Sequence, residues 1–231
     1  MELGLRDQLN DDYGPVVIVI DDDPHIREGL RDAFESVNLQ SRSFGSAEEF
    51  FQSKLPAGVS CLVLDVRLPG LNGLDLQTEL AKAQIDIPII FITGHGDVAM
   101  SVKAMKSGAV EFLTKPLREQ DLLDAVRVAL DRDRERQHRR EAMYGLRRRF
   151  DSLRPREQEV MTLLVTGMMN KQVAAVLGIS EVTVKVHRHN LMLRLEARAF
   201  TDLVRMADIL GLSRTFKANE PGATQSQSGR E

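Results

Sequence analysis

One cysteine stands among 231 residues. A single cysteine excludes an internal disulfide framework and a multi-cysteine zinc centre. Cys61 lies inside an apolar run, where a buried, inert thiol is expected. Long apolar runs are also missing. None approaches the ~18 residues that cross a bilayer, so no membrane partner is expected. Met1 to Tyr13 is polar and acidic and has no signal-peptide core. Together these absences predict a reducing, cytoplasmic setting. The formal net charge is only −3, and 42% hydrophobic with 28% charged residues is an ordinary globular composition. The length suits two domains, on a prior of about 100–200 residues each. The small net charge hides an asymmetry: residues 1–130 carry −9, residues 131–150 carry +4, residues 151–214 carry +2, and residues 215–231 balance. The acidic half suits a cation site. The later half can approach a polyanion without strong self-repulsion.

Four short apolar segments end in polar functional groups. Val16 to Ile20 is followed by Asp21, Asp22 and Asp23; Cys61 to Leu64 is followed by Asp65; Ile89 to Ile92 is closed by Thr93; Val110 to Thr114 is closed by Lys115. Strand candidates fall at 16–20, 41–44, 61–65, 88–92 and 110–113. Helix candidates alternate with them at 24–37, 46–54, 73–83, 97–107 and from 119 onward. Ser46 is the predicted N-cap of its helix, with Glu49 at the third helical position. The alternation predicts an α/β fold with a doubly wound, five-stranded parallel sheet of flavodoxin-like order 2-1-3-4-5. In such a sheet the carboxyl ends of the strands share one edge, and that edge binds ligands.

The groups at that edge suit phosphoryl transfer to a carboxylate. Such chemistry needs a nucleophilic carboxylate, a divalent cation and donors for the phosphoryl oxygens. Asp65 is placed as phosphoacceptor. Asp21, Asp22 and Asp65, with the backbone carbonyl of Arg67, offer the oxygen ligands that Mg²⁺ takes. Thr93 and Lys115 offer a hydroxyl and an ammonium. Each element alone is commonplace: an acidic cluster after a strand is ordinarily a helix cap or a turn. Their order, spacing and strand-end placement carry the reading jointly.

Beyond residue 124 the pattern changes. Asp131 to Arg136 alternates in sign, and Glu135 and Arg139 are spaced as an i,i+4 pair. Two readings stand: a solvated helical linker, or a dimer-forming helix with Leu123, Val126 and Leu130 as a partial apolar seam. Gly145 is expected to interrupt it. Four short helices follow. In the third, which Ser180 caps, Val184, Leu191 and Leu195 share one face, while Val182, Lys185, Val186 and His189 share the opposite arc. That mixed outward face suits a major groove, with donors for base edges and methyl groups for thymine. The turn Gly178, Ile179, Ser180 fits a helix-turn-helix, and Asn170 with Lys171 opens the preceding helix where a phosphate can sit. A small helical dimerisation domain is the plainer alternative. The predicted domains are an N-terminal extension (1–14), the sheet domain (15–128), a charged helical linker (129–150), the helix-turn-helix domain (151–213) and a disordered tail (214–231), which is too poor in apolar residues to offset ordering entropy.

Residues 16–122 resemble a bacterial response-regulator receiver domain. The match rests on Ile18 to Asp23, on Leu64 to Gly70 with Gly73, on Ile92 to Gly94, and on Phe112 to Pro116. The resemblance implies that a sensor histidine kinase phosphorylates Asp65 and that Asp21 and Asp22 hold Mg²⁺. It also implies that Thr93 and Phe112 act as a switch pair, Phe112 moving inward as Thr93 is drawn to the phosphoryl group, and that Lys115 binds a phosphoryl oxygen. A cis Lys115–Pro116 bond is plausible only because it precedes proline. Residues 153–211 are similar to the LuxR/NarL-type helix-turn-helix through Pro155 to Glu157, Gly167 with Asn170 to Ala174, Leu177 to Ser180, and Thr183 to Arg188. The pair most resembles the FixJ subgroup. By that likeness Lys185, Val186 and His189 face the major groove of double-stranded promoter DNA. Lys171, Thr183, Arg188 and Asn190 contact or support contacts to its phosphates. A homodimer formed on phosphorylation is expected, and RNA polymerase is a further candidate partner. Two positions depart from the pattern: Arg154 precedes the opening proline, and Met169 precedes Asn170, which leaves Asn170 as an alternative cap.

Arg67 and His95, two residues beyond the acceptor and the switch threonine, are candidates for controlling water access to the phosphoryl group, the plainer view being that both decorate the rim. Two other classes compete. An Mg²⁺-dependent phosphatase with an aspartyl-phosphate intermediate ordinarily has a second Asp two residues after its nucleophile as general acid. Position 67 is arginine, so the chain is not expected to be an enzyme. A receiver with a protein-binding output would not need the mixed face of residues 182–189.

Overall fold

Every residue of β1 (Val16–Ile20), β3 (Ser60–Asp65) and β4 (Ile89–Thr93) is buried, which is why these strands read as continuous apolar runs. A parallel sheet covered on both faces has no solvent side to mark with polar residues. The computed structural model describes residues 14–94 and 98–212. Two compact units divide between His138 and Arg139.

The first unit adds β2 (Gln40–Phe44) and β5 (Glu111–Thr114) as the sheet edges, and the order is 2-1-3-4-5 with every pair parallel. Alternate residues face opposite layers. Ile18, Ile20, Leu62, Leu64 and Phe91 pack against α2 (Ala47–Gln52), α3 (Gly73–Lys82) and α4 (Val98–Lys106). Val17, Val19, Cys61, Val63, Ile90 and Ile92 pack against α1 (Pro24–Ser36) and the first half of α5 (Glu119–Asp151). Val126 and Leu130 are buried in that second layer. They are therefore spent on the sheet and do not form a free dimer seam. Ser46 caps α2 as expected, its Oγ accepting from Glu49 N. The Glu49 carboxylate, however, reaches past Ser46 to the N–H of Gly45.

α5 runs unbroken through Gly145. A glycine inside a helix costs about 1 kcal/mol relative to alanine. Here Leu146 and Phe150, buried beside it, hold the turn. Their core also contains α6 (Pro155–Val165), α7 (Asn170–Leu177), α8 (Glu181–Arg194) and α9 (Phe200–Ile209). The two atypical helix starts are repaired from within. The Glu157 carboxylate accepts from Arg154 N at 2.9 Å, and the Gln172 amide oxygen accepts from Met169 N at 2.8 Å. Met169 is thus the N-cap of α7 and Asn170 its first helical residue. At α9, Asp202 accepts from the N–H groups of Ala199 and Arg198, which hold its carboxyl below the usual range. Residues 1–13 of the expected N-terminal extension, His95, and residues 213–231 with the expected tail lie outside the described residues.

Candidate functional site

Sheet register assembles the acidic site. Ile20 pairs with Leu64, so Asp21 follows β1 level with Asp65. Asp65 pairs with Ile92, and Thr93 pairs with Thr114, which places Lys115 one step beyond β5. Segments from four strands therefore end at one edge. Lys115 Nζ donates to Asp21 Oδ2 at 2.6 Å and to Asp65 Oδ2 at 2.6 Å. The second oxygens are also engaged: Asp21 Oδ1 accepts from Asp23 N, and Asp65 Oδ1 accepts from Arg67 N, each at 2.9 Å. Asp23 itself is spent capping α1, its carboxylate accepting from His25 N. Lys115–Pro116 is cis.

Electrostatically the site is short of positive charge. Asp21 is fully buried, and that burial raises its carboxyl above the ordinary value; the Lys115 and Asp23 hydrogen bonds pull the other way. Burial also works against the Lys115 ammonium, but its bonds to Asp21 and Asp65 outweigh this and raise its pKa. One ammonium serves two carboxylates, and a third stands beside them. One oxygen each from Asp21, Asp22 and Asp65 lies within 4.8 Å of the others, and Asp22 is exposed. A hard divalent cation suits such an oxygen set, since Mg²⁺ is held by one or two carboxylates plus water and phosphate oxygens. These residues fit that ion. The N–H of Gly73 donates to Val66 O, so α3 starts hard against the end of β3. A Cβ on Gly73 would stand 2.4 Å from the Asp65 carbonyl oxygen. No sequence signal beyond the motif itself marked that close approach.

Thr93 is fully buried at the same edge. Phe112 is half-buried on β5, its ring centroid 6.2 Å from that of Phe91. Arg67 is exposed at the rim, and His95 lies outside the described residues.

In the second unit, α7 ends at Gly178 in the left-handed region (φ 66°) and Ser180 caps α8, accepting from Thr183 N at 3.1 Å. Val184, Leu191 and Leu195 are fully buried, while Val182, Lys185, Val186 and His189 are exposed. Lys171 is exposed at the start of α7, and Asn190 is half-buried. Thr183 Oγ1 is 2.8 Å from Ser180 Oγ, and Lys185 pairs with Glu181 at 3.4 Å. The Arg188 guanidinium lies over the Phe200 ring, 5.2 Å from its centroid. Sequence reasoning gave Phe200 no role, because its apolar side chain matches a plain core residue.

This geometry defines a receiver joined to a helix-turn-helix. The family described as the response regulator receiver domain matches residues 17–127, and that of the bacterial regulatory proteins of the luxR family matches residues 151–207. The chain is 54% identical to Nodulation protein W of Bradyrhizobium diazoefficiens, covering 91% of each. It is 41% identical to Transcriptional regulatory protein FixJ of Azorhizobium caulinodans, covering 85% of this chain and 93% of that one. The solved structure of the response regulator StyR superposes with a TM-score of 0.74 at 47% identity, covering 85% of this chain and 99% of that one. The chain belongs to the two-component response regulators that carry a LuxR-type DNA-binding domain, and it is a transcription regulator.

Proposed function

We propose that the protein accepts a phosphoryl group on Asp65 from a sensor histidine kinase and, so modified, binds promoter DNA as a homodimer. The observation that carries this reading is the convergence of Asp21, Asp22, Asp65 and Lys115 at one sheet edge, with a single ammonium 2.6 Å from two of the carboxylates. Asp21, Asp22, Asp65 and the Arg67 carbonyl would hold Mg²⁺, which when bound neutralises the oxygens of the incoming group. Asp65 is the acceptor because it ends the central strand and keeps a sliver of exposure where Asp21 has none. The bond from its carboxylate oxygen to phosphorus forms as the bond from phosphorus to the kinase imidazole nitrogen breaks, the electron pair returning to that nitrogen. Lys115 then exchanges a carboxylate partner for a phosphoryl oxygen. The Thr93 hydroxyl turns toward the same group and Phe112 follows into the space it leaves. Both sit on β4 and β5, so the change reaches the sheet edge and shifts the receiver toward its dimerising form.

On the DNA side, Lys185, Val186 and His189 read base edges from the outward face of α8. Lys171, Thr183, Arg188 and Asn190 set the helix on the phosphates. Two such helices in a dimer meet two related half-sites. RNA polymerase is a further candidate partner at the promoter, and the cytoplasm is where kinase and promoter are both within reach. The domain boundaries that go with this reading are a receiver at 15–128, a linker at 129–150 and a DNA-binding domain at 151–213.

Operator affinity measured with and without acetyl phosphate tests this. Wild type should gain affinity on phosphorylation and Asp65→Asn should gain none. Equal gain in both would overturn the assignment of Asp65. Affinity should also fall steeply with salt, since phosphate neutralisation releases counterions. Lys185→Ala should relax base preference, costing about 1–3 kcal/mol at one position.

A further inference from the structure

Of the three carboxylates at the acidic edge, Asp22 is the one without side-chain support. Asp21 and Asp65 are each held by Lys115 and by a backbone N–H. The Asp22 carboxylate makes no hydrogen bond with any described residue, and the residue is exposed. Its direction is therefore inherited from its backbone. Arg27 is the side chain that bridges both carbonyls of that backbone: its Nη1 donates to the carbonyl oxygen of Asp21 at 2.7 Å and to that of Asp22 at 3.0 Å, while Asp21 Oδ1 accepts from Asp23 N at 2.9 Å. Arg27 is half-buried at the end of the first turn of α1, where its own N–H donates to Asp23 O. Its guanidinium passes over Gly45, with Nη1 3.6 Å from where a Cβ on that glycine would stand. The planar group thus orients two successive peptide units of the β1–α1 loop, those flanking Asp22.

We infer that Arg27 is a positioning residue for the divalent-cation site, setting the geometry of Asp22 through the two carbonyls it bridges. The inference rests on the reading of Asp21, Asp22 and Asp65 as metal ligands. It predicts a discrimination that a merely structural arginine would not produce. Mg²⁺ demands near-ideal octahedral geometry, whereas Ca²⁺ accepts flexible, irregular oxygen sets. A misdirected Asp22 should therefore cost Mg²⁺ more than Ca²⁺.

Calorimetric titration of the full chain with MgCl₂ and with CaCl₂ reads this directly, before any phosphoryl donor is added. Arg27→Met should weaken Mg²⁺ by about tenfold, the scale seen when residues that orient metal ligands are lost. Ca²⁺ should weaken by less than about threefold, as its looser coordination allows. Arg27→Lys, which supplies a point donor rather than a fork, should fall between. It also carries the test if the methionine variant folds poorly. If wild type binds Mg²⁺ and Asp22→Asn weakens it while both Arg27 variants bind like wild type, Arg27 has no positioning role. Equal loss of both ions in the two variants would make Arg27 a general loop anchor and overturn the inference as well. If wild type itself takes no Mg²⁺, or Asp22→Asn leaves its affinity unchanged, the metal assignment fails and the positioning role fails with it.

Discussion

The two ends of β3 each meet a buried carboxylate, and they are finished differently. At the carboxyl end, Asp65 shares one ammonium with Asp21, with exposed Asp22 beside them. At the amino end, Asp133 of α5 is fully buried and accepts from the N–H of Ser60 at 2.9 Å, from Gln137 Nε2 at 2.8 Å and from Arg136 Nη2. Gln137 also donates to Gly58 O, and Arg136 extends to Asp86 at 3.2 Å. The same physics governs both: a buried charge must be paired and hydrogen-bonded. The one carboxylate at the amino end accepts from a guanidinium and two further donors, so both of its oxygens are satisfied. At the other end two carboxylates share one ammonium, and the third, that of Asp22, has no hydrogen-bond donor among the described residues. A site for chemistry is the end whose compensation is unfinished, because a ligand can still supply the remainder.

The largest effect should come from breaking the finished end. Asp133→Ala leaves Arg136 with only the exposed Asp86 as partner and the Ser60 N–H without its acceptor, and removing one partner of a buried pair costs about 3–5 kcal/mol. Thermal unfolding followed by circular dichroism should show the receiver transition lowered, and Mg²⁺ should restore none of it. Recovery by Mg²⁺ would mean that the two ends are not separable. Lys115→Met should cost less, about 3 kcal/mol, because it too strips one partner from a buried set but at an edge that solvent reaches. Here Mg²⁺ should return most of the loss, since a ligand that binds only the folded state stabilises it by mass action. It should raise the melting temperature of this variant more than that of wild type, in which Lys115 competes for the same oxygens. An equal rise in both would remove the competition between ammonium and cation.

That contrast also explains what could be read from the chain. The functional end was legible because β1, β3 and β4 are continuous apolar runs, so the first polar residue after each announces a strand end, and the parallel order brings those ends together. Strand limits shifted by a single residue: β4 begins at Ile89, with Pro88 already lending its carbonyl to Leu62. The finished end was not legible. Asp133 sits in a run of alternating charges that reads as solvated, and only the fold shows one of those charges turned inward onto Ser60. Whether Leu123, Val126 and Leu130 form a dimer seam stayed open for the same reason, since a helix face does not say whether a sheet or a second chain covers it. Arg27 was invisible because its partners are backbone carbonyls, which every sequence has.

A smaller effect should separate backbone from charge at the functional end. Gly73→Ala adds no charge but puts a methyl 2.4 Å from the Asp65 carbonyl oxygen, and neither that carbonyl nor the start of α3 can yield cheaply. The cost should be about 2 kcal/mol, the scale of overpacking at a tight contact. Phosphorylation of Asp65 by acetyl phosphate should slow with it, while chemical denaturation measures the stability change. A variant as stable as wild type would show that α3 can slide along β3 without penalty.

The smallest effect uses Cys61, next to Ser60 on β3, as a reporter of the amino end. The thiol is fully buried; burial raises its pKa and the Asp133 charge raises it further, so the reactive thiolate is suppressed twice over. Native alkylation by iodoacetamide should therefore proceed only through opening of the receiver. Asp133→Asn keeps an acceptor for the Ser60 N–H but loses the charge facing Arg136. If that costs about 1.4 kcal/mol of protection, alkylation accelerates about tenfold. Asp65→Asn, at the far end of the same strand, should leave the Cys61 rate within about twofold of wild type if opening at the amino end is independent of it. Matching acceleration in both variants would mean that β3 transmits the loss along its whole length, and the two ends would have to be treated as one site.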